Sequence, residues 1–265
     1  MIRDITLGQY FPGNSKVHKL DARTKIIATI MFIVELFIVN NFYGFALATA
    51  TMFMIIKVSK VPVRFMVKGL KPIFIIIIFT FVINVFMVDG TILFHWKFIT
   101  ISYEGLYRAF FMAARLILLI LGSSILTLTT KPLSLTDGIE KLLRPLNKIG
   151  LPSHEIAMMM TIALRFIPTL LEETDKIMKA QQARGADFES GSVIHRAKSL
   201  IPILVPLFIS AFRIAQDLAM AMEARCYKGG KGRTRMNEIK FTRSDIYASV
   251  FLAAFLAMII GTRYI

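Results

Sequence analysis

Two arginine-containing triplets are the residues of this chain best suited to bind an acidic partner. Ala183-Arg184-Gly185 and Ala224-Arg225-Cys226 each end a long run rich in methionine and other apolar residues. The arginine side chain presents a planar fork of N–H donors that matches a carboxylate. Each triplet alone could be an ordinary helix end, because glycine tolerates the left-handed conformation and a cation suits the last helical turn. The repetition favours a second interpretation, in which the triplets are two matched contact points for a neighbouring protein.

Motifs for catalysis and for phosphate binding are absent from the sequence. The glycines between positions 229 and 234 lack the order of a Gly-x-x-x-x-Gly-Lys-Ser/Thr loop. Neither Gly-x-Ser-x-Gly nor His-Glu-x-x-His occurs. The four histidines lack metal-ligand spacing, and the single cysteine excludes a disulfide framework. We therefore expect a non-catalytic chain that binds no metal or cofactor itself.

Three polar residues lie within segments that are otherwise apolar: Glu35, Asn84 and Arg115. Ionisable groups are costly inside a bilayer, so a substrate path is one hypothesis for them. The alternative is that Glu35 or Asn84 satisfies Arg115, or that each side chain reaches an interface. Three scattered positions define no pathway, and the sequence leaves both interpretations open.

The composition predicts a polytopic membrane protein. Of 265 residues 55% are hydrophobic, and 22 are phenylalanine, which is more apolar than a soluble domain of this size. The first fifteen residues are polar and rich in turn formers, so we expect no cleavable signal peptide. About five transmembrane helices are predicted, at Ile26–Val39, Phe42–Ile56, Pro72–Val88, Leu106–Thr130 and Ile246–Gly261. Asp21 is predicted to be the N-cap of the first helix.

The distribution of positive charge predicts the topology. The formal net charge is +15, and the lysines and arginines flank the apolar runs, as in membrane proteins, so we expect a lipid bilayer and no nucleic acid as partner. Five positive residues lie in 1–25, five in 57–71, one in 89–105 and eighteen in 131–243. The positive-inside rule then places the N-terminus and the long segment in the cytoplasm and the C-terminus outside.

The segment from 131 to 245 is predicted to be a cytoplasmic domain, because it holds twelve of the seventeen acidic residues. A long amphipathic helix is predicted to be capped by Ser153 and to run towards Arg184. Arg165 and the charged cluster at 172–176 argue against its crossing lipid.

A second long helical run is predicted from Ser192 to Arg225. Its most apolar part, Leu200–Phe212, contains two prolines and is short for a membrane span, so its entry into the bilayer stays open. The expected fold is all-α, with about five transmembrane helices and long cytoplasmic coupling helices. The predicted domains are 1–130 (N-terminal spans), 131–245 (coupling helices) and 246–265 (C-terminal span).

Taken together, these segments resemble the transmembrane (T) component of energy-coupling factor (ECF) transporters, the vitamin-importing branch of the ABC transporters. The similarity covers nearly the whole chain. It rests on Gly8-Gln9-Tyr10, Pro12-Gly13-Asn14-Ser15, His18, Leu20 to Lys25, Leu164 to Pro168, and Ala180 to Gly185. The second triplet of the family usually ends in glycine, whereas this chain has Cys226, a poorer left-handed residue.

The resemblance implies the partners and their contacts. Two ATPase subunits, which hold ATP and Mg²⁺, would take Arg184 and Arg225 into acidic grooves. A small membrane S component would bind the vitamin and pack on the coupling helices. The residues predicted for that platform are Met159, Met160, Ala163, Ile167, Leu171, Leu204, Phe208 and Met220. The protein would be a multi-pass protein of a bacterial cell membrane.

Two rival functions stay open from the residues alone. One is a membrane-embedded enzyme whose cytoplasmic helices carry the active site, although no clustered acid, base or metal set occurs in the sequence. The other is a stand-alone permease, in which Glu35 and Arg115 would line the path. The sequence does not identify the vitamin, nor whether the module serves one S component or several.

Overall fold

The structure, a computed structural model, describes residues 10–96, 99–186, 188, 192–230 and 241–262. Its helices are α1 (Ala22–Ile38), α2 (Phe42–Ser59), α3 (Val63–Leu70), α4 (Phe74–Met87), α5 (Tyr103–Thr129), α6 (Pro132–Leu143), α7 (Ser153–Ala183), α8 (Val193–Ser199), α9 (Ile201–Ala224) and α10 (Arg243–Thr262). A 3₁₀ helix, Arg144–Ile149, follows α6. Strands β1 (Ile92–Trp96) and β2 (Ile99–Ser102) pair antiparallel between α4 and α5. The predicted all-α membrane fold is confirmed, and the small β-hairpin is an addition that was not predicted.

The described residues divide into two compact units. The first unit contains residues 10–138 and 241–262, and the second contains residues 139–230. This division follows the density of contacts and does not report which side of a membrane a residue occupies. The predicted domain limits at residues 130 and 245 therefore stay a prediction.

The core of the first unit lies among α1, α2, α5 and α10. Its buried side chains include Phe32, Leu36, Ala48, Met52, Leu118, Ile125, Phe255 and Ile259. Gly122 allows α5 to approach α1 closely, because a Cβ there would lie 2.9 Å from a ring carbon of Phe32. Most other apolar side chains on these helices are exposed in the isolated chain, as expected of a surface that faces lipid or membrane partners.

Five helices of the described part of the chain are long and apolar enough to cross a membrane: α2, α5, α7, α9 and α10. The bent pair α3 and α4, with an angle of 60° between them, would make a sixth span. Three of the five predicted spans coincide with α2, α5 and α10. The predicted span Ile26–Val39 lies on α1, whose 17 residues are at the short end of the range for a spanning helix. The predicted span Pro72–Val88 lies on α4, which has 14 residues and needs α3 to reach spanning length. The prediction that α7 lies outside the bilayer stays a prediction, and the entry of α9 into the bilayer stays open.

The N-terminal segment is tied to the end of α5 by hydrogen bonds. The Nζ of Lys25 donates to the carbonyl oxygens of His18 (3.2 Å) and Thr129 (2.9 Å), and the Phe11 N–H donates to the carbonyl of Leu128 (2.9 Å). The last carbonyls of a helix have no partner within the helix, so a lysine and a backbone N–H from another segment satisfy them. The segment from Phe11 to Lys25 thus has a structural role at this end of α5.

Asp21 and Asp245 join the first turns of α1 and α10. The Asp21 carboxylate accepts from the Arg23 N–H (2.9 Å), which confirms the predicted N-cap. Asp245, which is fully buried, accepts from the Asp21 N–H (2.8 Å) and from the Thr242 N–H (2.7 Å). The bond from the Thr242 N–H to the carboxylate of Asp245 three residues later is one of the two bonds of a capping box. One carboxylate therefore fixes the beginnings of two helices.

Candidate functional site

The two arginine triplets, called the arginine tips below, belong to the second unit and end its two long helices. α7 has 31 residues and α9 has 24. The predicted capping of α7 by Ser153 is wrong, because Pro152 occupies the N-cap position and no side chain caps that end. Ser153 instead donates its N–H to Oδ1 of Asn147 (3.3 Å) in the preceding 3₁₀ helix.

The first arginine tip ends α7 in a Schellman motif. Gly185 has a φ of 88°, in the left-handed region. The Ala186 N–H donates to the Gln181 carbonyl (3.0 Å), and the Gly185 N–H donates to the Gln182 carbonyl (3.0 Å). These are the two bonds that define the motif. Arg184 is the C-cap residue, at φ −87° and ψ 5°.

The second arginine tip repeats this geometry with cysteine in place of glycine. Cys226 has a φ of 55°. The Tyr227 N–H donates to the Met222 carbonyl (3.0 Å), and the Cys226 N–H donates to the Glu223 carbonyl (2.8 Å). Arg225 is the C-cap residue, at φ −90° and ψ 13°. The departure from glycine therefore leaves the helix ending unchanged.

All six residues of the arginine tips are exposed: Ala183, Arg184, Gly185, Ala224, Arg225 and Cys226. Neither guanidinium group makes a hydrogen bond or an ion pair with another residue of the described chain. Their donors are thus available to a carboxylate on another molecule. Within the same described residues, no group of three or more His, Cys, Asp or Glu side chains is arranged to hold a metal ion.

The second arginine tip lies beside the first turns of α7. The Tyr227 hydroxyl donates to the sulfur of Met158 (3.0 Å), and a Cβ at Gly230 would overlap the ring of His154. Nδ1 of His154 lies 3.1 Å from Oε1 of Glu140. Since α7 runs on from these contacts to its own tip, the two tips lie near opposite ends of one helix, roughly 40 Å apart along it at about 1.5 Å per residue.

The residues predicted to form the platform for an S component lie at the surface of α7 and α9. Met159, Ala163, Leu204, Phe208 and Met220 are exposed. The remaining three, Met160, Ile167 and Leu171, are half-buried. Buried residues on the two helices are few: Ser153 and Ala157 on α7, and Ile203 on α9. The predicted platform is thus accessible to a partner or to lipid.

Four of the six residues in the exposed apolar stripe on α9 were not predicted from the sequence. Beside Leu204 and Phe208, the side chains of Ile201, Val205, Ile209 and Phe212 are exposed. These six positions follow the spacing i, i+3, i+4, i+7, i+8 and i+11, which marks one face of a helix. That periodicity is readable in the sequence, although the two prolines of the segment weaken its helical signal.

The three intramembrane polar residues do not pair with one another. Nη2 of Arg115 donates to the carbonyl of Val39 (2.8 Å) and lies 3.4 Å from Oδ1 of Asn40. The amide of Asn84 donates to the carbonyl of Thr80 (2.8 Å). Glu35 is buried, and neither carboxyl oxygen has a hydrogen-bond partner among the described residues. The interpretation in which Glu35 or Asn84 satisfies Arg115 is therefore wrong.

The fold and its exposed helix ends define an α-helical, multi-pass membrane protein, and comparison with known proteins identifies its family. The model of the family described as "Cobalt transport protein" (CbiQ) matches residues 13–236. The chain belongs to this family, and within it to the transmembrane components of energy-coupling factor transporters.

Several relatives named energy-coupling factor transporter transmembrane protein EcfT support this assignment. The chain is 62% identical to the protein of Clostridium kluyveri over 252 residues, covering 94% of this chain and 93% of the relative. It is 56% identical to that of Ruminiclostridium cellulolyticum, covering 100% of this chain and 99% of the relative. It is 47% identical to that of Bacillus subtilis, covering 99% and 100%. The predicted family resemblance is confirmed.

Proposed function

We propose that this subunit couples ATP hydrolysis in two ATPase subunits to movement of a vitamin-binding S component during uptake. The observation that carries the proposal is the duplicated helix ending. Two C-cap arginines with the same backbone geometry are exposed and have no partner within the described chain. A pair of ATPase subunits offers two equivalent grooves, and the two arginine tips would each enter one of them.

The geometry of α7 and α9 suits the transmission of movement. The Schellman motifs fix each arginine to the end of a long helix, so a displacement of the tip displaces the helix. The tips lie near opposite ends of α7, and the helices touch one another. Closure of an ATPase pair would change the distance between its two grooves and would thereby change how α7 and α9 cross.

The exposed faces of α7 and α9 would bind the S component. Methionine side chains adapt to surfaces of different shape, and Met159 and Met220 are both exposed. The stripe of Leu204, Val205 and Phe208 would add apolar area to that surface. Several S components could then use one platform, and the vitamin would be recognised by the S component.

The proposed topology places the N-terminus and both arginine tips in the cytoplasm and the C-terminus outside a bacterial cell membrane. In this arrangement α7 and α9 do not cross the bilayer, although their length and hydropathy allow it. Arg165 and the charged residues at 172–176 on α7 favour a position outside the hydrocarbon region. The chain would be non-catalytic, and ATP and Mg²⁺ would be held by the ATPase subunits.

Reversal of the charge at either tip tests the proposal. We expect Arg184→Glu or Arg225→Glu to weaken ATPase binding a hundredfold or more, because breaking a buried charge pair costs about 3–5 kcal/mol. The measurement is the amount of ATPase retained by the purified membrane complex, together with vitamin uptake into cells or vesicles.

A matched charge reversal controls for the change in net charge. Arg144 is also exposed and lies in the same unit, in the 3₁₀ helix, so Arg144→Glu should leave ATPase binding and uptake unchanged. Full ATPase content and full uptake in the Arg184→Glu/Arg225→Glu double variant would contradict the proposed role of the tips.

A further inference from the structure

A cavity of about 520 Å³ lies in the first unit, where the turn between α1 and α2 meets α4 and the first half of α5. Its lining residues are Asn40, Phe45, Asn84, Tyr107, Arg108, Phe111, Met112 and Arg115. This volume is in the range of cavities that hold small molecules, roughly 300–1,000 Å³. Neither the arginine tips nor the α7 and α9 surface includes any of these residues.

The charge of the cavity is one-sided. Two arginines line it, Arg108 and Arg115, and none of the lining side chains is a carboxylate. Phe111 lies between the two arginines on α5 and also lines the cavity. Two like charges beside apolar walls attract a counter-ion, because a low-dielectric cleft focuses their field.

Arg115 is held in place without using all of its donors. Nη2 binds the Val39 carbonyl, and the guanidinium carbon lies 5.8 Å from the ring centre of Phe37 and 5.5 Å from that of Phe45. Nη1 contacts only the sulfur of Met112, at 3.9 Å, which is a weak interaction. The side chain is therefore oriented by contacts on one side, and donor capacity remains for a ligand.

The neighbouring carboxylates do not fill the cavity. Glu104 precedes Arg108 by one helical turn and moderates its charge, but its oxygens accept from the N–H of Thr91 (2.7 Å) and from its hydroxyl (3.1 Å). Glu35 is buried on α1 and does not line the cavity. The lining adds further polar groups suited to an anion, the phenol of Tyr107 and the side-chain amides of Asn40 and Asn84.

From this arrangement, we propose that the cavity binds a phosphate-bearing anion through Arg108 and Arg115. Arginine forms charge-assisted, often bidentate hydrogen bonds with phosphate oxygens. Asn40, in the turn between α1 and α2, lines the cavity, and a turn between two spanning helices lies at the level of the lipid headgroups. The aromatic walls of Phe45 and Phe111 suit the apolar part of a lipid. The phosphate could also come from a small soluble anion, and the experiment separates the two sources.

Retention of lipid by the purified full-length complex tests this proposal. Phosphatidylglycerol or phosphatidylcholine is added to the complex in detergent, and the bound lipid is counted by native mass spectrometry. We expect selective retention of phosphatidylglycerol, and retention about tenfold weaker in Arg108→Gln and Arg115→Gln, because each loses a charged hydrogen bond. Arg108→Gln is the decisive variant, since Arg108 has no hydrogen bond to lose within the described chain.

A third arm adds inorganic phosphate, and the control is Arg64→Gln, an exposed arginine of α3 outside the cavity. If millimolar phosphate displaces phosphatidylglycerol, and Arg108→Gln abolishes this displacement, the result would support the proposal with a soluble anion as the occupant. Selective lipid retention that resists phosphate would support it with a headgroup as the occupant. Equal retention of both lipids, or equal retention in Arg108→Gln and Arg64→Gln, would overturn it.

Discussion

Arg184 and Arg225 are C-cap residues, so the backbone around them is set by the left-handed residue that follows. Gly185 occupies that conformation without strain, whereas Cys226 carries a Cβ at a φ of 55°. A side chain in the left-handed region costs roughly 1–2 kcal/mol. The hydrogen bonds of the second tip are nevertheless the same as those of the first, because a Schellman motif satisfies carbonyls that would otherwise lack a partner.

Substitutions at Gly185 and Cys226 should change the stability of the two tips in opposite directions. We expect Gly185→Ala to weaken the first Schellman motif by about 1 kcal/mol and Cys226→Gly to strengthen the second by a similar amount. Hydrogen exchange at the Ala186 and Tyr227 amides should change roughly fivefold, faster in the first variant and slower in the second. Unchanged exchange at both amides would contradict this account of the helix ends.

Single residues could be predicted from the sequence where their partners are close in the chain. Asp21 was predicted as an N-cap and is one, because the N–H it binds is two residues away. The roles of Lys25 and Asp245 could not be predicted, since their partners are separated from them by 104 and 224 residues. Ser153 was predicted wrongly because the helix begins one residue earlier than expected, so that Pro152 takes the N-cap position and Ser153 is the first helical residue.

At the level of elements, the hydrogen bonds of Lys25 hold α1 and the N-terminal segment against the end of α5. Thr129 is the last residue of α5, and α6 begins at Pro132. The junction that leads out of the first unit is therefore braced by one buried ammonium group, which is only 7% exposed.

Removal of this ammonium group should destabilise the subunit. We expect Lys25→Met to lower the free energy of unfolding by about 1–3 kcal/mol, because it leaves the Thr129 carbonyl without that donor. Thermal unfolding in detergent measures the effect. Lys19→Met is the matched control, because Lys19 lies in the same segment and is exposed, and an equal loss in both variants would refute the role of Lys25.

The apolar stripe of α9 should be needed for the S component and not for the ATPases. Phe208 is 66% exposed and contacts Phe212, with ring centres 4.7 Å apart. We expect Phe208→Ser to reduce the S component recovered with the complex roughly tenfold, as for a central aromatic contact of an interface. ATPase recovery should be unchanged, and Gln216→Ser, an exposed site on the same helix, should change neither. Loss of both partners in Phe208→Ser, or of neither, would contradict the prediction.

The elements themselves could be predicted in large part from hydropathy. α7 was predicted as a long helix, and it ends at Ala183, the first residue of its arginine tip. The second predicted run, Ser192 to Arg225, is instead two helices, α8 and α9, which are divided at Leu200 because Pro202 begins a new helix there. The hairpin of β1 and β2 was not predicted, because its residues form a short, largely apolar stretch between two predicted spans. α3 was not predicted, because its eight residues carry two positive charges. The whole basic stretch between the neighbouring spans was therefore interpreted as a loop.

For the whole molecule, the sequence predicts a topology that depends on α7 and α9 staying on one side of the membrane. The single cysteine offers a direct test, because Cys226 is exposed at the second arginine tip. We expect a membrane-impermeant maleimide to label it in inside-out vesicles and not in intact cells. Bound ATPase subunits should reduce this labelling, because the tip would then be covered.

The opposite side needs its own reporter. Asp89 is exposed in the segment between α4 and β1, which the topology places outside. In a chain with Cys226→Ser, an Asp89→Cys substitution should be labelled in intact cells. Labelling of both positions from the same side would refute the topology.

If each arginine tip binds one ATPase subunit as proposed, the matched backbone of the two helix ends limits where discrimination between those subunits can arise. A groove that recognised only the arginine and the backbone of its cap would accept either end, so pairing must be decided by the neighbouring side chains. The positions two residues before each arginine differ in charge, Gln182 on α7 and Glu223 on α9. An ATPase subunit with a basic residue beside its groove would favour the end of α9, and this difference in charge would then orient two unlike ATPase subunits beneath the membrane.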